Sequence, residues 1–398
     1  MKYGQVIQLS LLKKYNFFVK KKISYFYVLL LLFLSGNPAI SIFGNPKIIL
    51  AIFTFLLFFL IEFNFNKISS DLKRYLLFFV FIFILQIINL SFFSVLGAVH
   101  FLFKIMFGYL VLVYCGKEFR KILFNLIYFI SFISLICFGL NLIGYNMPIF
   151  LNENVFTIIF YNQQVNQLFL RNSGFFWEPG AFAIFLNFTI VIVYDSLKNI
   201  RKHKLLIIFL ALITTFSTTG YIMFFVILLH LSLNYFKYKV ISFFVSIALS
   251  SILYFLYFDL YFLNTKVEDQ FLKSSQVSKD FSNTRIGSLI FDLHYIKKSP
   301  IYGNGLHENT RFEDHKWLIN EDQLGHGNGF SNFIASMGIT SMLLYLFYLY
   351  KSLIQNKFFV LFLIIVALQG EQLLNFPFFL ILPFIFRSFV ENIIIVDR

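Results

Sequence analysis

Long apolar segments recur along almost the whole chain, and this recurrence limits the possible folds more than any other feature. A helix needs about 20 apolar residues to cross the hydrocarbon core of a bilayer. Hydrophobic residues make up 59% of the 398 positions and charged residues only 13%, whereas ordinary globular domains have about 45–50% and about 25%. The alternating pattern of about ten residues that marks membrane strands does not occur. The sequence therefore predicts an all-α polytopic membrane protein.

Twelve segments have the length and hydropathy of membrane-spanning helices. They cover residues 23–43, 46–63, 75–93, 95–115, 121–144, 178–196, 204–219, 220–236, 239–258, 328–350, 357–374 and 376–392. Nine spans then lie within residues 1–258, a long outer loop covers 259–327, and three more spans lie within 328–398. The basic N-terminus with its apolar continuation resembles a signal peptide, but the many later spans favour an uncleaved first helix.

Basic residues are distributed unevenly between the two sides of this arrangement. With the N-terminus inside, 22 of the 33 Lys and Arg residues lie in inner loops or tails, one lies within a span, and ten lie outside. Eight of those ten belong to the long loop, and long loops are exempt from the positive-inside rule. We therefore expect both termini in the cytoplasm. The net charge of +14 then reflects orientation in the bilayer, and nucleic acid is not an expected partner.

The long outer loop has the composition of an ordered segment. Residues 259–327 hold ten acidic residues, eight basic residues and four of the seven histidines. Loops of this length are usually functional or disordered. Apolar residues at helical spacing in "RIGSLIFDLHYIKK" (285–298) predict that this loop is partly helical. The two cysteines, Cys115 and Cys137, lie in or beside predicted spans and provide neither a disulfide framework nor a metal-binding pattern.

Charged side chains inside or beside membrane spans are costly and are therefore functional candidates. Lys104 lies about nine residues from the outer end of its span, roughly 14 Å deep, and His100 lies one turn closer to the outside on the same face. Glu178 precedes Pro179, which favours the first position of a helix, so Glu178 is expected at the mouth of the sixth span. Alternatively, Lys104 pairs with a neighbouring helix and Glu178 only offsets the helix dipole.

Three more polar groups lie at predicted outer turns. Arg171 opens the segment "RNSGFFWEPGAFAIF", Thr218 lies in "TTFSTTG", and Glu371 lies in "LQGEQLLNFP". Alternatives remain, because an arginine also anchors helices at the interface and hydroxyl groups often cap backbone. Together with His100 and Glu178, these residues map to the outer half of the bilayer. They predict a chamber open to the outside or to the outer leaflet.

Polar residues among three glycines precede the tenth span, in "GHGNGFSNFIASMGI" (325–339). The glycines allow the backbone to approach a ligand closely around His326 and Asn328. An imidazole titrates near neutral pH, which makes His326 the leading candidate for a catalytic base and Glu178 the second. In the alternative interpretation His326 only caps the helix.

These motifs resemble those of the O-antigen polymerase and O-antigen ligase-like membrane family, the Wzy-type enzymes of bacterial polysaccharide assembly. The resemblance rests on the corner from Arg171 to Gly180, on Arg285 with the later Pro300 and Gly303-Asn304-Gly305, and on His326 and Asn328 before the span that reaches Gly338. It implies a C-type glycosyltransferase architecture in the bacterial cytoplasmic membrane. The substrates would be polyprenyl-diphosphate-linked sugars at the outer, periplasmic face.

The resemblance further implies that lipid-linked repeat units are polymerised into O-antigen or capsular polysaccharide. The undecaprenyl diphosphate of the donor is a good leaving group, but its developing charge needs stabilisation, and arginine forks bind phosphate oxygens. Arg171 and Arg285, helped by Arg311 and Lys104, are expected to supply it. The outer segments contain no Asp-x-Asp pair, so we expect a reaction without metal or cofactor. A flippase and a chain-length regulator are the expected protein partners.

Two rival functions remain open. A ligase of the same family would transfer finished glycan to lipid A core or to protein. A flippase or exporter of lipid-linked sugars belongs to a different class, and transporters also carry charged residues near the midplane. The chain has no clear internal repeat, and its long charged outer loop suits an outer active site better than alternating access. A structural protein would not explain Lys104.

The charge distribution generates a topology prediction. A reporter fused at residues 198–204 should report from the cytoplasm, because that loop is strongly basic and short. A reporter fused at residues 266–280 should report from the outside. A cytoplasmic signal from the second fusion would reverse the orientation of the proposed active-site loop.

Overall fold

Helices dominate the structure. The computed structural model describes residues 19–61, 69–145, 149–152, 155–158, 161–164, 170–194, 197, 200–235, 285–315, 328–353 and 357–387. The α-helices in chain order are α1 (19–34), α2 (Pro46–Leu60), α3 (Ser70–Asn89), α4 (Val95–Cys115), α5 (Phe119–Leu142), α6 (Pro179–Ile192), α7 (Lys202–Thr214), α8 (Thr218–Tyr235), α9 (Arg285–Lys298), α10 (Glu308–Arg311), α11 (Gly329–Ser352), α12 (Lys357–Gly370), α13 (Pro377–Leu380) and α14 (Leu382–Arg387). Short 3₁₀ helices cover Pro38–Phe43, Gly116–Glu118, Glu313–His315 and Leu373–Asn375.

A small sheet lies between α5 and α6. Its strands are β1 (Ile149–Asn152), β2 (Val155–Ile158) and β3 (Tyr161–Gln164), antiparallel and in that order. The prediction of an all-helical protein therefore misses this segment. Its residues are too few for a span, and β2 consists of Val, Phe, Thr and Ile, which are side chains that favour strands.

The twelve predicted spans agree with the structure only in part. The tenth is interrupted at Gly338, and the twelfth is replaced by α13 and α14, which are separated at Ile381. The ninth, at 239–258, lies outside the described residues. Within the described part, two helical segments are long and apolar enough to cross a membrane: 95–142 and 329–352. The number of spans and the three-part division of the chain stay predictions. The helix predicted over 285–298 is confirmed by α9.

Several helices begin at a side-chain cap. The side-chain oxygens of Asn45, Ser69, Ser94 and Asn328 accept hydrogen bonds of 2.9–3.2 Å from backbone N–H groups two or three residues further on. Such caps satisfy donors that the first helical turn leaves without a partner. The starts of α2, α3, α4 and α11 are therefore defined by local sequence.

Helix α6 is the centre of the molecule, since all of its residues are buried. It packs against α8, where a Cβ on Gly220 would overlap the Cβ of Ala183. The Asn187 side chain donates to the carbonyl oxygens of Ala183 and Gly220 at 2.9 and 3.0 Å, so its amide protons are satisfied inside the core. Phe185 of α6 stacks on Phe176 with ring centroids 4.0 Å apart.

The outer surfaces of the helices are strongly apolar. Phe59 on α2 and Phe358 on α12 are each 79% exposed, and Ile88 on α3 is 71% exposed. Soluble monomers rarely expose apolar patches of more than a few hundred Å². Large apolar side chains are exposed on α2, α3, α4, α7 and α11 as well, so the helix exteriors are suited to contact with lipid.

Basic residues from three helices meet at one end of the bundle around a buried carboxylate. Asp71 in the first turn of α3 pairs with Arg387 of α14 and lies 3.4 Å from the Lys351 ammonium of α11. Arg74 contributes a third positive charge at 4.0 Å. The charge distribution of the sequence predicts Arg74 and Lys351 at the cytoplasmic side. The structure brings the start of α3 and the ends of α11 and α14 together.

A loop after α9 fills the interruption of α11. At Gly338 the backbone has φ +85° and leaves the helix. The Asn304 N–H donates to the Ala335 carbonyl at 2.8 Å, and the Ile339 N–H donates to the Pro300 carbonyl, also at 2.8 Å. A Cβ at position 338 would overlap the Ile301 carbonyl. The sequence motifs at 300–305 and 338 are thus two halves of one backbone contact, which we call the loop–helix junction.

Gln86 of α3 secures the loop–helix junction from the other side. Its side-chain nitrogen donates to the Tyr302 carbonyl at 2.6 Å and to the Ser336 carbonyl at 3.0 Å. Gln86 is buried and lies on a helix that is otherwise largely apolar. Three separate elements, α3, the loop after α9 and α11, are therefore joined by hydrogen bonds at this point.

Replacement of Gly338 should destabilise the fold. Gly338→Ala places a Cβ against the Ile301 carbonyl in a positive-φ conformation, and such strain costs about 1–3 kcal/mol. The measurement is the unfolding temperature of the purified protein in detergent. Gly139→Ala in α5 is the matched control, because its Cβ would meet no atom within 4 Å. An unchanged unfolding temperature for Gly338→Ala would contradict the junction.

Candidate active site

Three helix ends converge on Glu371, the residue that follows α12. A Cβ built on Gly180, in the first turn of α6, would lie 2.5 Å from Oε1 of Glu371 and 3.6 Å from Oε1 of Glu178. The backbone of Glu371 lies directly against Gly329 at the start of α11. Because neither glycine has a side chain, the starts of α6 and α11 can approach the end of α12 closely.

Glu178 and Glu371 form a hydrogen-bonded carboxyl pair. Glu178 is the N-cap residue of α6 with Pro179 in the first turn, as predicted, but its side chain does not cap the helix. It is hydrogen-bonded to the side chain of Glu371 instead. Glu371 is buried, and this burial raises its pKa well above the usual 4.5, with the negative charge of Glu178 adding to the shift. A proton held by Glu371 is therefore shared with Glu178.

Trp177 connects this carboxyl pair to the rest of the fold. Its side chain forms a hydrogen bond to Glu371, for which the indole N–H is the only donor. Its ring packs on Gly36 and lies 4.7 Å from the ring of Phe376. Its backbone N–H donates to the Gly36 carbonyl at 3.1 Å. The corner that contains Trp177 and Glu178 is thus fixed from both sides.

Arg171 is held beside the carboxyl pair by backbone carbonyls. Its Nε donates to the Thr215 carbonyl at 3.1 Å and its Nη2 to the Phe216 carbonyl at 3.0 Å. Burial lowers the pKa of Arg171, and the charge of Glu178 opposes this effect most strongly. The guanidinium is therefore oriented by two backbone carbonyls.

Arg285 supplies the second positive charge. It is the first residue of α9, and it is close enough to act electrostatically on both Glu371 and Arg171. With a proton on Glu371, two guanidinium groups face one negative carboxyl pair. The local charge is then about +1, and a phosphate or diphosphate group would complement it.

Arg311 does not join this group. It is buried in an ion pair with Asp292 of α9, and its Nη2 also donates to Asn332 at 3.2 Å. Ser331 donates to the other oxygen of Asp292 at 2.6 Å. Burial raises the pKa of Asp292 and lowers that of Arg311, and each charge offsets the shift of the other. These contacts connect α9 and α10 to α11, which favours a structural role for Arg311.

The remaining candidates lie at the starts of α11 and α8, in a separate cleft, or outside the described residues. Asn328 caps α11 directly before Gly329. Thr218 begins α8, where nearby hydroxyls bind backbone, including the Ser217 hydroxyl, which accepts from the Gly220 N–H at 3.2 Å. Lys104 and His100 line a separate cleft, of which Trp177 forms one wall. His326 lies outside the described residues, and its role stays a prediction.

Comparison with known proteins does not assign the chain to a family. The chain matches no family model, no curated protein and no solved structure. Among the described residues, no three His, Cys, Asp or Glu side chains are grouped closely enough to hold a metal ion. Metal independence remains a prediction.

Sequence reasoning missed one residue that builds the site and one that pairs with a residue predicted to be in it. Trp177 links the carboxyl pair to the neighbouring cleft, and its position directly before Glu178, as one of two tryptophans in the chain, was the available signal. The partner of Arg311 was also missed. Asp292 lies within the predicted outer helix. The only signal in the sequence for its buried ion pair was its position among apolar residues at helical spacing.

The carboxyl pair generates a pH prediction. The folded state keeps a proton on Glu371 that the unfolded chain releases near pH 4.5. The folded state then binds more protons above that pH, so the free energy of unfolding should fall as the pH rises towards the folded pKa. Infrared difference spectroscopy should detect a protonated carboxyl group at neutral pH.

Two variants assign this carboxyl signal. Glu371→Gln should remove it and reduce the loss of stability at higher pH. Glu178→Gln should shift its titration to lower pH, because the neighbouring negative charge is removed. Glu118→Gln, at an exposed position, is the control and should change neither. An unaltered signal in Glu371→Gln would show that another group holds the proton.

Proposed function

We propose that this protein is an integral membrane glycosyltransferase that polymerises polyprenyl-diphosphate-linked repeat units at the outer face of the bacterial cytoplasmic membrane. The observation that carries the proposal is the Glu178–Glu371 pair beside Arg171 and Arg285, at the meeting point of three helix ends. The motifs around these residues are the ones that resemble the O-antigen polymerase and ligase-like family.

The membrane location is supported by the apolar exterior. Two described helical segments are long and apolar enough to cross a bilayer, and α2, α6, α8 and α12 contain shorter apolar helices. Phenylalanine and isoleucine side chains are exposed on the outside of the bundle. The cytoplasmic location of both termini rests on the positions of the basic residues in the sequence.

The charges suit a lipid diphosphate as donor. If both carboxyl groups were ionised, two negative charges would cancel the two arginines. Protonation of Glu371 leaves one net positive charge, which favours an anionic leaving group. Arg171, oriented by two carbonyls, and Arg285 would then stabilise the charge that develops on the diphosphate as the glycosidic bond breaks.

The proposed reaction needs one base and no acid. The acceptor hydroxyl oxygen attacks the anomeric carbon of the donor, and a new C–O bond forms. The bond from that carbon to the diphosphate oxygen breaks, and its electron pair leaves with the diphosphate. The hydroxyl proton passes to a base, for which Glu178 and His326 are the candidates. The hydrogen bond to Glu371 would hold Glu178 in position.

The arginine assignment can be tested by the length of carrier-linked glycan. In a deletion strain complemented with Arg171→Ala or Arg285→Ala, mostly single repeat units should remain on the carrier, because loss of such a charge lowers turnover by about 10²–10³-fold. The lysine variants should recover polymer only in part, since lysine keeps the charge but not the fork. Arg74→Ala, on an exposed side chain at the other end of the bundle, is the control.

The same assay separates the rival functions. Normal polymer from both alanine variants, expressed at wild-type level, would remove the arginines from the mechanism. Long chains that stay on the carrier after deletion would indicate a ligase. Repeat units that face the cytoplasm after deletion would indicate a flippase. Loss of activity of the purified protein in EDTA, with recovery on addition of Mg²⁺ or Mn²⁺, would contradict a metal-independent reaction.

A further inference from the structure

Helix α9 runs alongside the first part of α11 and in the same direction. Near the start of α11, the Ser331 hydroxyl donates to Asp292 of α9 at 2.6 Å. Further along both elements, the Ile339 N–H donates to the carbonyl of Pro300, just after α9, at 2.8 Å. The chain from Asp292 to Pro300 therefore descends beside the chain from Ser331 to Ile339.

After this descent the chain turns back towards the start of α11. The Gly305 N–H donates to the Ser336 carbonyl at 3.0 Å. Arg311 of α10 then donates to Asn332, one turn closer to the start of α11, at 3.2 Å. Residues 285–311 thus form a hairpin, which we call the α9 hairpin, with its tip at residues 300–305.

The depth of the tip follows from its contact with α3. Asp71, Arg74 and Lys351 meet at one end of the bundle, and such a group of charges lies at a membrane surface, because it is costly inside the hydrocarbon core. From Asp71 to Gln86, α3 rises about 22 Å, since each helical residue adds about 1.5 Å. Gln86 donates to the Tyr302 carbonyl at the tip. The hydrocarbon core is about 30 Å thick, so the tip lies about 8 Å below the opposite surface, and any tilt of α3 makes it deeper.

The backbone at the tip is satisfied by protein groups, as this depth requires. The carbonyl oxygens of residues 300–302 accept hydrogen bonds from the Ile339 N–H, the Thr340 hydroxyl and the Gln86 side chain in turn. The N–H groups of residues 303–305 donate to carbonyls of the hairpin and of α11. Inside a bilayer, irregular backbone is tolerated where protein groups take the place of water. A loop in water does not need such complete pairing.

The outward face of the α9 hairpin is apolar. Leu289 and Leu293 lie one turn apart on α9 and are exposed, and so is Ile301 at the tip. The tip is bonded to α11 at Ile339, which is exposed together with Leu343 on the apolar exterior of that helix. The surface suited to lipid is therefore continuous from α11 onto the hairpin.

The charged residues of α9 are compatible with this depth. His294 lies 2.9 Å from Asp314, and Lys298 lies 2.8 Å from Glu313, so these two side chains have partners just after α10. Lys297 is exposed in the last turn of α9. Because helical side chains lean towards the start of their helix, Lys297 points back towards the outside, where its ammonium reaches the headgroups.

We propose that the α9 hairpin is a re-entrant membrane element. It enters the outer leaflet from the outside, turns at residues 300–305 and leaves on the same side, with its apolar face against lipid acyl chains. Part of the predicted outer loop is thereby embedded in the bilayer. The inference rests on the membrane location proposed above and not on the polymerase reaction.

Spin labels on the outward face test this insertion. Leu289→Cys, Leu293→Cys and Ile301→Cys are each labelled with a nitroxide, and the full-length protein is placed in nanodiscs of phosphatidylcholine. Both native cysteines are buried, so wild-type protein treated in the same way is the labelling blank. The measurement compares collisions of the label with oxygen, which concentrates in lipid, and with a water-soluble nickel chelate. The ratio of oxygen to nickel collisions should rise from Leu289 to Leu293 to Ile301, because α9 descends into the leaflet.

Two further positions calibrate the ratio. Ile84→Cys, on the exterior of α3 close to the level of the tip, is the matched lipid control, and its ratio should equal that of Ile301→Cys. Glu118→Cys, in an exposed turn beside the charged end of the bundle, gives the aqueous value.

Each contrary result has a distinct meaning. An aqueous ratio at Ile301, with a lipid ratio at Ile84, would overturn the hairpin and leave the proposed function in place. Equal ratios at the three hairpin positions would place α9 flat on the membrane surface and would also overturn it. A label at Ile301 that is shielded from both reagents would show that protein covers this face, which again contradicts the proposal. An aqueous ratio at Ile84 would remove the membrane location itself, and the proposed function with it.

Discussion

The burial of one carboxyl group, Glu371, controls the balance of charge at the candidate site. A glutamate enclosed beside a second glutamate ionises less readily than an exposed one, so its pKa is raised, and its protonated form donates a hydrogen bond to its neighbour. Two arginines then face a single negative charge rather than two. The position of Glu371 depends in turn on small residues, because Gly180 and Gly329 leave the space that its side chain and backbone occupy.

Hydrogen bonds attach the outer elements to this centre at several points. The Asp292–Arg311 pair joins α9 and α10 to α11, and Gln86 joins α3 to the loop–helix junction. Trp177 joins the corner before α6 to Gly36 and to Glu371. These contacts are polar and enclosed, so each group is costly if its partner is lost. The candidate site is therefore supported by the outer elements rather than by the apolar core alone.

Local sequence signals predicted several of the helices, and contacts between distant residues account for much of what was missed. Pro179 after Glu178 predicted the start of α6, and the apolar spacing at 285–298 predicted α9, because both signals are local. The ion pair of Arg311 with Asp292 depends on the tertiary contact between α9 and α10. The spacing of residues in the sequence does not predict such a contact. Glu178 was expected at a helix mouth, but the partner of its side chain lies almost two hundred residues away. The interruption of α11 was not predicted, because Gly338 lies in an apolar segment that has the length and hydropathy of one continuous span.

The interruption at Gly338 lies in the middle of the contact between α11 and the segment that follows α9. Ala335 before the interruption and Ile339 after it are both bonded to that segment, and Tyr348 further along packs against Phe384 of α14. A displacement of the segment after α9 would therefore act on α11 at its interruption, and the first part of α11 leads from there back to Asn328 and Gly329. Since Gly329 lies against the backbone of Glu371, such a displacement would reach the shared proton. The segment after α9 is thereby connected through α11 to the carboxyl pair, although it contributes no carboxyl group to it.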